Sequence, residues 1–323
     1  MNSQRIAAAP APFPASAIRR VGVVGIGRMG EAFARNLMAD GYQVTVHDSN
    51  QARTALLADA GATVASALGD LAICQVVLTA LPDDDALTNI ASRAGGLIEV
   101  LVPGTIHVSM STVSPTLSRY LAERHRLAGQ SYVAAPVLGN PDLARARKLF
   151  VIAAGPALAV TTVSPLLERL GQRLFSIGED PGAANLMKLA GNVLTALTLQ
   201  GMGEVMALLR KGGLDAHVAF DVLTGSLFDG KVHKTYGGKI VDERYSPPGM
   251  TAPIAVKDLR LALAEAEREA VPMPAASLVH DRLVAMVAHG WAGLDWSALG
   301  LLAASEAGLK SAATAGQSAS PSA

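Results

Sequence analysis

VGVVGIGRMGEAFARNLMADGYQVTVHDSN, residues 21–50, decides the fold. A β-branched run ends in Gly25, and Gly25, Gly27 and Gly30 then give the spacing G-x-G-x-x-G at the start of an Ala-containing helical stretch. The three glycines answer separate needs: Gly25 turns the chain, Gly27 lets the backbone approach a pyrophosphate, and Gly30 permits close packing of helix on strand. The N-terminus of that helix offers unpaired N–H groups to phosphates. A second β-branched run, QVTVHD, ends at Asp48, 21 residues after Gly27, where an acid meets the hydroxyls of an adenosine ribose. The stretch predicts a dinucleotide site built from Gly25, Ile26, Gly27, Arg28, Met29 and Gly30, closed by Asp48 and Ser49. Ser49 stands where an arginine commonly grips a 2′-phosphate, so the expected cofactor is NAD(P)H with a lean to NAD(H). Arg28 and Arg53 are the cations that would serve NADP instead, and Asp48 has a plainer reading as a polar strand end capping the next turn.

Working outward, the runs CQVVLTA, GTIHVSM, YVAAP, KLFVIAA and RLFSIG continue the alternation of strand and helix to about Ile177. That alternation predicts an α/β fold: an N-terminal Rossmann domain with a doubly wound parallel sheet over residues 19–181. Beyond Gly182, Ala and Leu recur at helical spacing and predict an all-α C-terminal domain over residues 182–310. Its first helix, from about Gly182 to Lys211, would be roughly 45 Å long at the helical rise. Residues 1–18 and 311–323 are Ala-, Ser- and Pro-rich and read as disordered tails.

A chain of 323 residues suits two domains. With 27 basic and 27 acidic residues the net charge is zero, which argues against a nucleic-acid footprint or attraction to an anionic membrane. No unbroken apolar run approaches the ~18 residues of a membrane span, so a small-molecule partner in the cytoplasm is expected. Cys74 is the single cysteine, which excludes an intramolecular disulfide, and it lies in an apolar stretch as a small core residue. The acids of LPDDDAL are consecutive, so their side chains diverge, and they suit a helix start. No metal is predicted, while Leu81 and Pro82 fall where a strand end would line the cofactor cleft. The segment SLFDGKVHKTYGGKIVDERYSP, residues 226–247, breaks the helical pattern and gathers Asp229, His233, Lys234 and Tyr236, as a substrate lid or as ordinary surface. Trp291 and Trp296 read as packing anchors.

The motifs GIGRMG, VSMSTVSP from residue 108, AAPVLGNPDLARARKLFVIAAG from 134, GAANLMKLAGN from 182 and KDLRLAL from 257 run in one order across residues 20–300. In that order the chain resembles the β-hydroxyacid dehydrogenase family, which includes 3-hydroxyisobutyrate dehydrogenases and tartronate semialdehyde reductases. The resemblance implies a nicotinamide cofactor, reversible hydride transfer at a short hydroxy acid or its oxo partner, and a homodimer or tetramer. Carbonyl reduction needs a proton at oxygen as hydride reaches carbon, and an ammonium can supply it. Lys188 carries that role by resemblance, with Asn192 four residues on, hence on the same helical face. Standing alone, the two would be a solvated lysine and an incidental amide. Ser111 and Thr112 match the family's substrate-contacting pair, Ser111 also lying near the cofactor, although a hydroxyl there could equally precede a helix that Ser114 caps. Lys257, before Asp258, matches the lysine that approaches cofactor or substrate.

The chain also departs from the family. Ala134, Leu138, Gly139 and Asn140 replace the usual acid, serine and glycines of a loop that cradles a substrate carboxylate, and Ser109 stands where an aspartate is common. Leu138 cannot hydrogen-bond a carboxylate, which points toward a bulkier or less charged ketone, aldehyde or oxo acid. The form LGNPD also resembles imine reductases, which reduce C=N bonds; those enzymes commonly lack the lysine at position 188. A non-catalytic cofactor-binding protein is the alternative from another class.

Overall fold

A computed structural model describes residues 13–15 and 18–310; the expected tail residues 1–12, 16–17 and 311–323 lie outside the described residues. Ile18 falls inside the expected N-terminal tail, yet it is buried in the core. Six strands form one parallel sheet: β1 (Arg20–Val24), β2 (Gln43–His47), β3 (Thr63–Val64), β4 (Val76–Thr79), β5 (Ile106–Ser109) and β6 (Ser131–Ala134). Their order is β3-β2-β1-β4-β5-β6, the doubly wound arrangement expected. β4 and β5 are buried along their whole length, as strands with both faces covered must be, whereas β3 is a two-residue exposed edge too short to invite pairing. Helices α1 (Arg28–Ala39), α2 (Gln51–Ala58), α3 (Asp84–Ser92), α4 (Leu97–Val100), α5 (Pro115–Leu127), α6 (Pro141–Arg145) and α7 (Ala157–Glu168) follow the strands. Val23, Phe33, Leu37, Leu78 and Val108 form the centre of this core.

The runs KLFVIAA and RLFSIG do not extend that sheet. They form a second one, β7 (Val137–Leu138), β8 (Leu149–Ala153) and β9 (Gly171–Ser176), in which β8 is antiparallel to β7 and parallel to β9. The chain leaving β6 is itself the partner of β8: Ala134 bridges Ala154 in the antiparallel sense, and Ile152 N donates to Pro136 O at 3.0 Å. β8 therefore runs against its neighbour and cannot continue the parallel order.

The chain divides into one unit ending at Lys188 and another beginning at Leu189. The boundary lies inside the 31-residue helix α8 (Pro181–Lys211) rather than at its start, because Ala184 and Asn185 pack with Tyr132 and Ser118 of the first unit. In the second unit α9 (Ala216–Thr224), α10 (Lys231–Val241), α11 (Ala252–Arg268), α12 (Pro274–Ala288) and α13 (Leu299–Glu306) enclose Leu199, Met206, Leu259, Leu283 and Trp296. Trp291 is buried beside them. The segment expected to break the helical pattern is helical from Lys231; Asp229 pairs locally with Lys234 and Phe228 with His233, while Tyr236 lies edge-on to Trp296. α8 is long and apolar enough, by length and composition, to cross a membrane, although polar residues interrupt it; half of its most apolar window is buried in the protein.

A hydrogen-bonded line crosses the core of the first unit. Gln130 Nε2 donates to Ile98 O and Leu101 O at 3.1 and 2.6 Å, so its Oε1 accepts from His125 Nδ1 at 2.6 Å. His125 Nε2 then accepts from His107 Nδ1 at 2.8 Å, and His107 Nε2 accepts from Thr79 Oγ1 at 2.9 Å. Both rings are thereby neutral, and burial pushes His125 down to about 4 and His107 well below its usual value. Unfolded histidine, near 6.5, takes up protons that the folded rings refuse, so stability falls as pH drops from 6.5 through about 4. His125→Gln should narrow the stability gap to the wild type by roughly 3 kcal/mol between pH 7 and pH 4, measured by urea unfolding. A gap that stays constant with pH would overturn this account.

Candidate functional site

The loops after β1, β4 and β5 meet at the carboxyl ends of the strands. Gly25 N donates to His47 O, Ala80 N to Val24 O, and Met110 N to Thr79 O, each at 2.9 Å. Gly25 adopts φ +89°, and a Cβ there would lie 2.5 Å from Ala80 O and 2.8 Å from Leu81 Cδ2. A Cβ on Gly30 would lie 1.9 Å from Gly25 O, so α1 can cross this close only without a side chain. Gly27 is different: a Cβ there would meet nothing within 4 Å, and α1 starts at it with no side-chain cap. Open space over an uncapped helix N-terminus fits a pyrophosphate. Around it Ile26 is buried, Met29 packs partly on the core, and Arg28 and Ser49 are exposed.

Asp48 does more than the sequence suggests. Its Oδ2 accepts from Ile26 N at 2.6 Å, its Oδ1 accepts from Asn50 N at 2.8 Å, and Arg53 lies 3.6 Å away. The side chain is only 6% exposed, so the carboxylate braces the glycine loop against the end of β2 as well as forming the turn ahead of α2.

Ser111 is buried, and its hydroxyl accepts from Leu81 N at 2.8 Å while donating to Thr79 O at 3.4 Å. It thus draws Leu81 and Pro82 to the strand ends, a structural task beside the binding role expected of it. Thr112 follows, partly exposed. Ser114 caps α5, accepting from Leu117 N, and Pro115 takes the first helical position. Of the three consecutive acids, Asp83 caps α3 and Asp84 accepts from Ser114 N at 2.9 Å. Among the described residues no group of three or more His, Cys, Asp or Glu side chains could hold a metal.

The loop at 138–140 forms the turn between β7 and α6. Leu138 packs on the cluster that includes Val113, Tyr132 and Ala184. Gly139 has φ +142°, and Asn140 caps α6 by accepting from Leu143 N at 3.0 Å. Its side-chain oxygen therefore already has a partner, which the sequence reading as a substrate contact did not foresee.

Lys188 is 5% exposed, which removes the reading of a solvated surface lysine. One turn on, Asn192 is as deeply buried; its Nδ2 donates to Asp258 Oδ2 at 2.5 Å. Lys257 Nζ lies 3.0 Å from Asp258 Oδ1, so the carboxylate, 1% exposed, is balanced by an ammonium and an amide. Because the nitrogen of Asn192 faces Asp258, its carbonyl oxygen is turned the other way, as an acceptor. Asp258 was not among the expected site residues, although with Lys257 it matches the family's K-D pair.

Residues 20–178 match the family described as the NAD binding domain of 6-phosphogluconate dehydrogenase, and residues 182–303 match the one described as NAD-binding of NADP-dependent 3-hydroxyisobutyrate dehydrogenase. An uncharacterized oxidoreductase of Bacillus subtilis is 35% identical over 281 residues, 87% of this chain and 98% of that one. The 3-hydroxyisobutyrate dehydrogenase of Pseudomonas aeruginosa is 30% identical, over 86% of this chain and 96% of its own. A 3-hydroxyisobutyrate dehydrogenase structure from Salmonella typhimurium superposes with a TM-score of 0.78 at 25% identity, covering 88% of this chain and 99% of that one. A Streptomyces aurantiacus imine reductase, 23% identical with a TM-score of 0.58 over 88% of this chain and 99% of its own, shares the fold. The chain belongs to the β-hydroxyacid dehydrogenase family and is an NAD(P)-dependent oxidoreductase.

The glycine geometry separates two substitutions. Gly27→Ala should fold with an unchanged melting temperature yet bind NADH and NADPH at least about tenfold more weakly in fluorescence titration, since its methyl occupies the open space over α1. Gly30→Ala should fail to fold stably, because its Cβ meets backbone. Wild-type affinity in Gly27→Ala would remove the pyrophosphate from this loop.

Proposed function

We propose that the chain is a cytoplasmic enzyme that interconverts an alcohol and a carbonyl on a hydroxy acid, its oxo acid or an aldehyde, with Lys188 as the acid–base residue. The observation that carries this reading is a lysine buried to 5% exposure on the same helix face as Asn192. The nicotinamide, when bound, supplies or takes up the hydride. Gly25, Gly27 and Gly30 would hold its pyrophosphate, with Ile26, Arg28, Met29, Leu81 and Pro82 around it and Asp48 and Ser49 toward the adenosine. In reduction the ammonium of Lys188 donates a proton to the carbonyl oxygen; in oxidation the amine takes it from the hydroxyl. Asn192, oriented by Asp258, accepts through its oxygen and so steers the lysine or a substrate hydroxyl. Ser111, Thr112 and Gly139 are the further substrate contacts in this reading, and Lys257 the further cofactor contact.

The apolar side chain of Leu138 supports a substrate with an uncharged group at that end, and the same observation favours imines as the second reading. The acid at Asp48 and the absence of a cation at Ser49 support NAD(H) over NADP(H). One experiment tests these points: oxo acids, aldehydes and imines are assayed with NADH and NADPH, using wild type and Lys188→Met. We expect turnover on a carbonyl substrate with NADH preferred, and a loss of at least about a hundredfold in kcat for the variant with cofactor binding unchanged. Undiminished turnover by Lys188→Met ends the acid–base assignment, and faster turnover of imines moves the reading to C=N chemistry.

The reading includes a homodimer, or a tetramer built from it. Leu194, Val205 and Leu208 are 65, 42 and 70% exposed at spacings that put them, with Gly201, on one face of α8. No Cβ contact lies within 4 Å of Gly201, so a second helix could approach closely there. Leu194→Asp combined with Leu208→Asp should give a monomer in sedimentation velocity runs; an unchanged oligomer would place the interface elsewhere.

A further inference from the structure

Asn185 lies three residues before Lys188, one turn earlier on the same face of α8. It is fully buried, and its amide nitrogen donates to Ser118 Oγ at 2.6 Å. The same nitrogen leans on Pro181 O at 3.5 Å, an oxygen that can only accept, so the orientation of the amide is fixed. Ser118 Oγ lies 3.2 Å from Tyr132 Oη on β6, and the Tyr132 ring is itself held edge-on to His107 and stacked on His125. Three buried side chains thus tie the first turns of α8 through α5 to the parallel sheet. At the other end of the amide, Asn185 Oδ1 is out of contact with solvent and has no hydrogen-bond partner in the protein. An acceptor left in that state destabilises the fold, and the fold had apolar residues of similar size available to fill the space.

We propose that Asn185 is a positioning residue for Lys188: its nitrogen end anchors the turn, and its oxygen end, without a hydrogen-bond partner in this structure, is the acceptor to which the ε-ammonium of Lys188 swings in the free enzyme. The proposal rests on Lys188 as the acid–base residue. A neutral carbonyl oxygen stabilises the charged form of an amine, so Asn185 supports the protonated lysine that carbonyl reduction requires. The charged and titratable groups around these turns are Tyr132 on β6, Asp84 at the start of α3, the Arg119–Asp180 pair before α8, and Lys257 with Asp258 beside the Asn192 turn.

The test is the pH profile of kcat/KM for reduction, whose alkaline limb reports loss of the Lys188 proton. Asn185→Leu should move that limb about one pH unit lower, because the ammonium loses an acceptor, and Asn185→Asp should move it higher, because a carboxylate replaces the amide. The aspartate variant is isosteric, so the upward shift is readable even where the leucine variant does not fold. Gln130→Leu, which breaks the buried histidine line away from α8, should lower the melting temperature without moving the limb. Limbs that stay in place, or that move in the same direction in both Asn185 variants, overturn the proposal. Lys188→Met separates the two levels: if it is inactive while the limbs stay in place, only the positioning role has failed; if it is active, the underlying reading has failed.

Discussion

No side chain fits at residue 30. The carbonyl of Gly25 comes so near the first turn of α1 that an added Cβ would sit 1.9 Å from it, and this approach sets everything at the strand ends. With α1 pressed onto β1, its uncapped N-terminus opens over Gly27, and the β4 loop closes against Gly25 through Ala80 and Leu81. The same loop is drawn in by Ser111 from β5. A single steric constraint thereby collects three loops of a parallel sheet at the N-terminus of α1, where the helix dipole favours an anion.

Buried polar groups then hold the collected loops still. Asp48 ties the glycine loop to β2, Asp84 ties the start of α3 to the start of α5, and the line from Thr79 through His107 and His125 to Gln130 runs below the strand ends. Each is satisfied by specific partners, which makes it directional in a way that apolar packing is not. The second unit repeats the device around Asp295, which accepts from Lys239, Gly249 and Ser297, and around Asp258, which sets the orientation of Asn192.

α8 connects these two systems covalently. Its first turns belong to the α/β unit and its remainder to the helical one, so Lys188 and Asn192, a single turn apart, fall on either side of the division. A boundary at the start of the helix is what composition suggests, since Ala and Leu periodicity begins there. The division by contacts falls later, after Ala184 and Asn185, whose packing on the sheet leaves no trace in periodicity.

Local chemistry made much of the chain legible from its residues alone. β-branched runs, glycine spacing and helix caps at Asp83 and Ser114 depend on neighbours a few positions away, so the sequence by itself determined the order of elements, the tight glycine loop and the helical second half. The burial that singles out Lys188, the inward-turned carboxylate of Asp48 and the partnership of Asn192 with Asp258 all required tertiary structure. So did the separate sheet of β8 and β9. In each case the deciding partner lies far along the chain or in a turn whose direction is set by packing, and no pattern of nearby residues encodes which backbone group a buried polar atom will find.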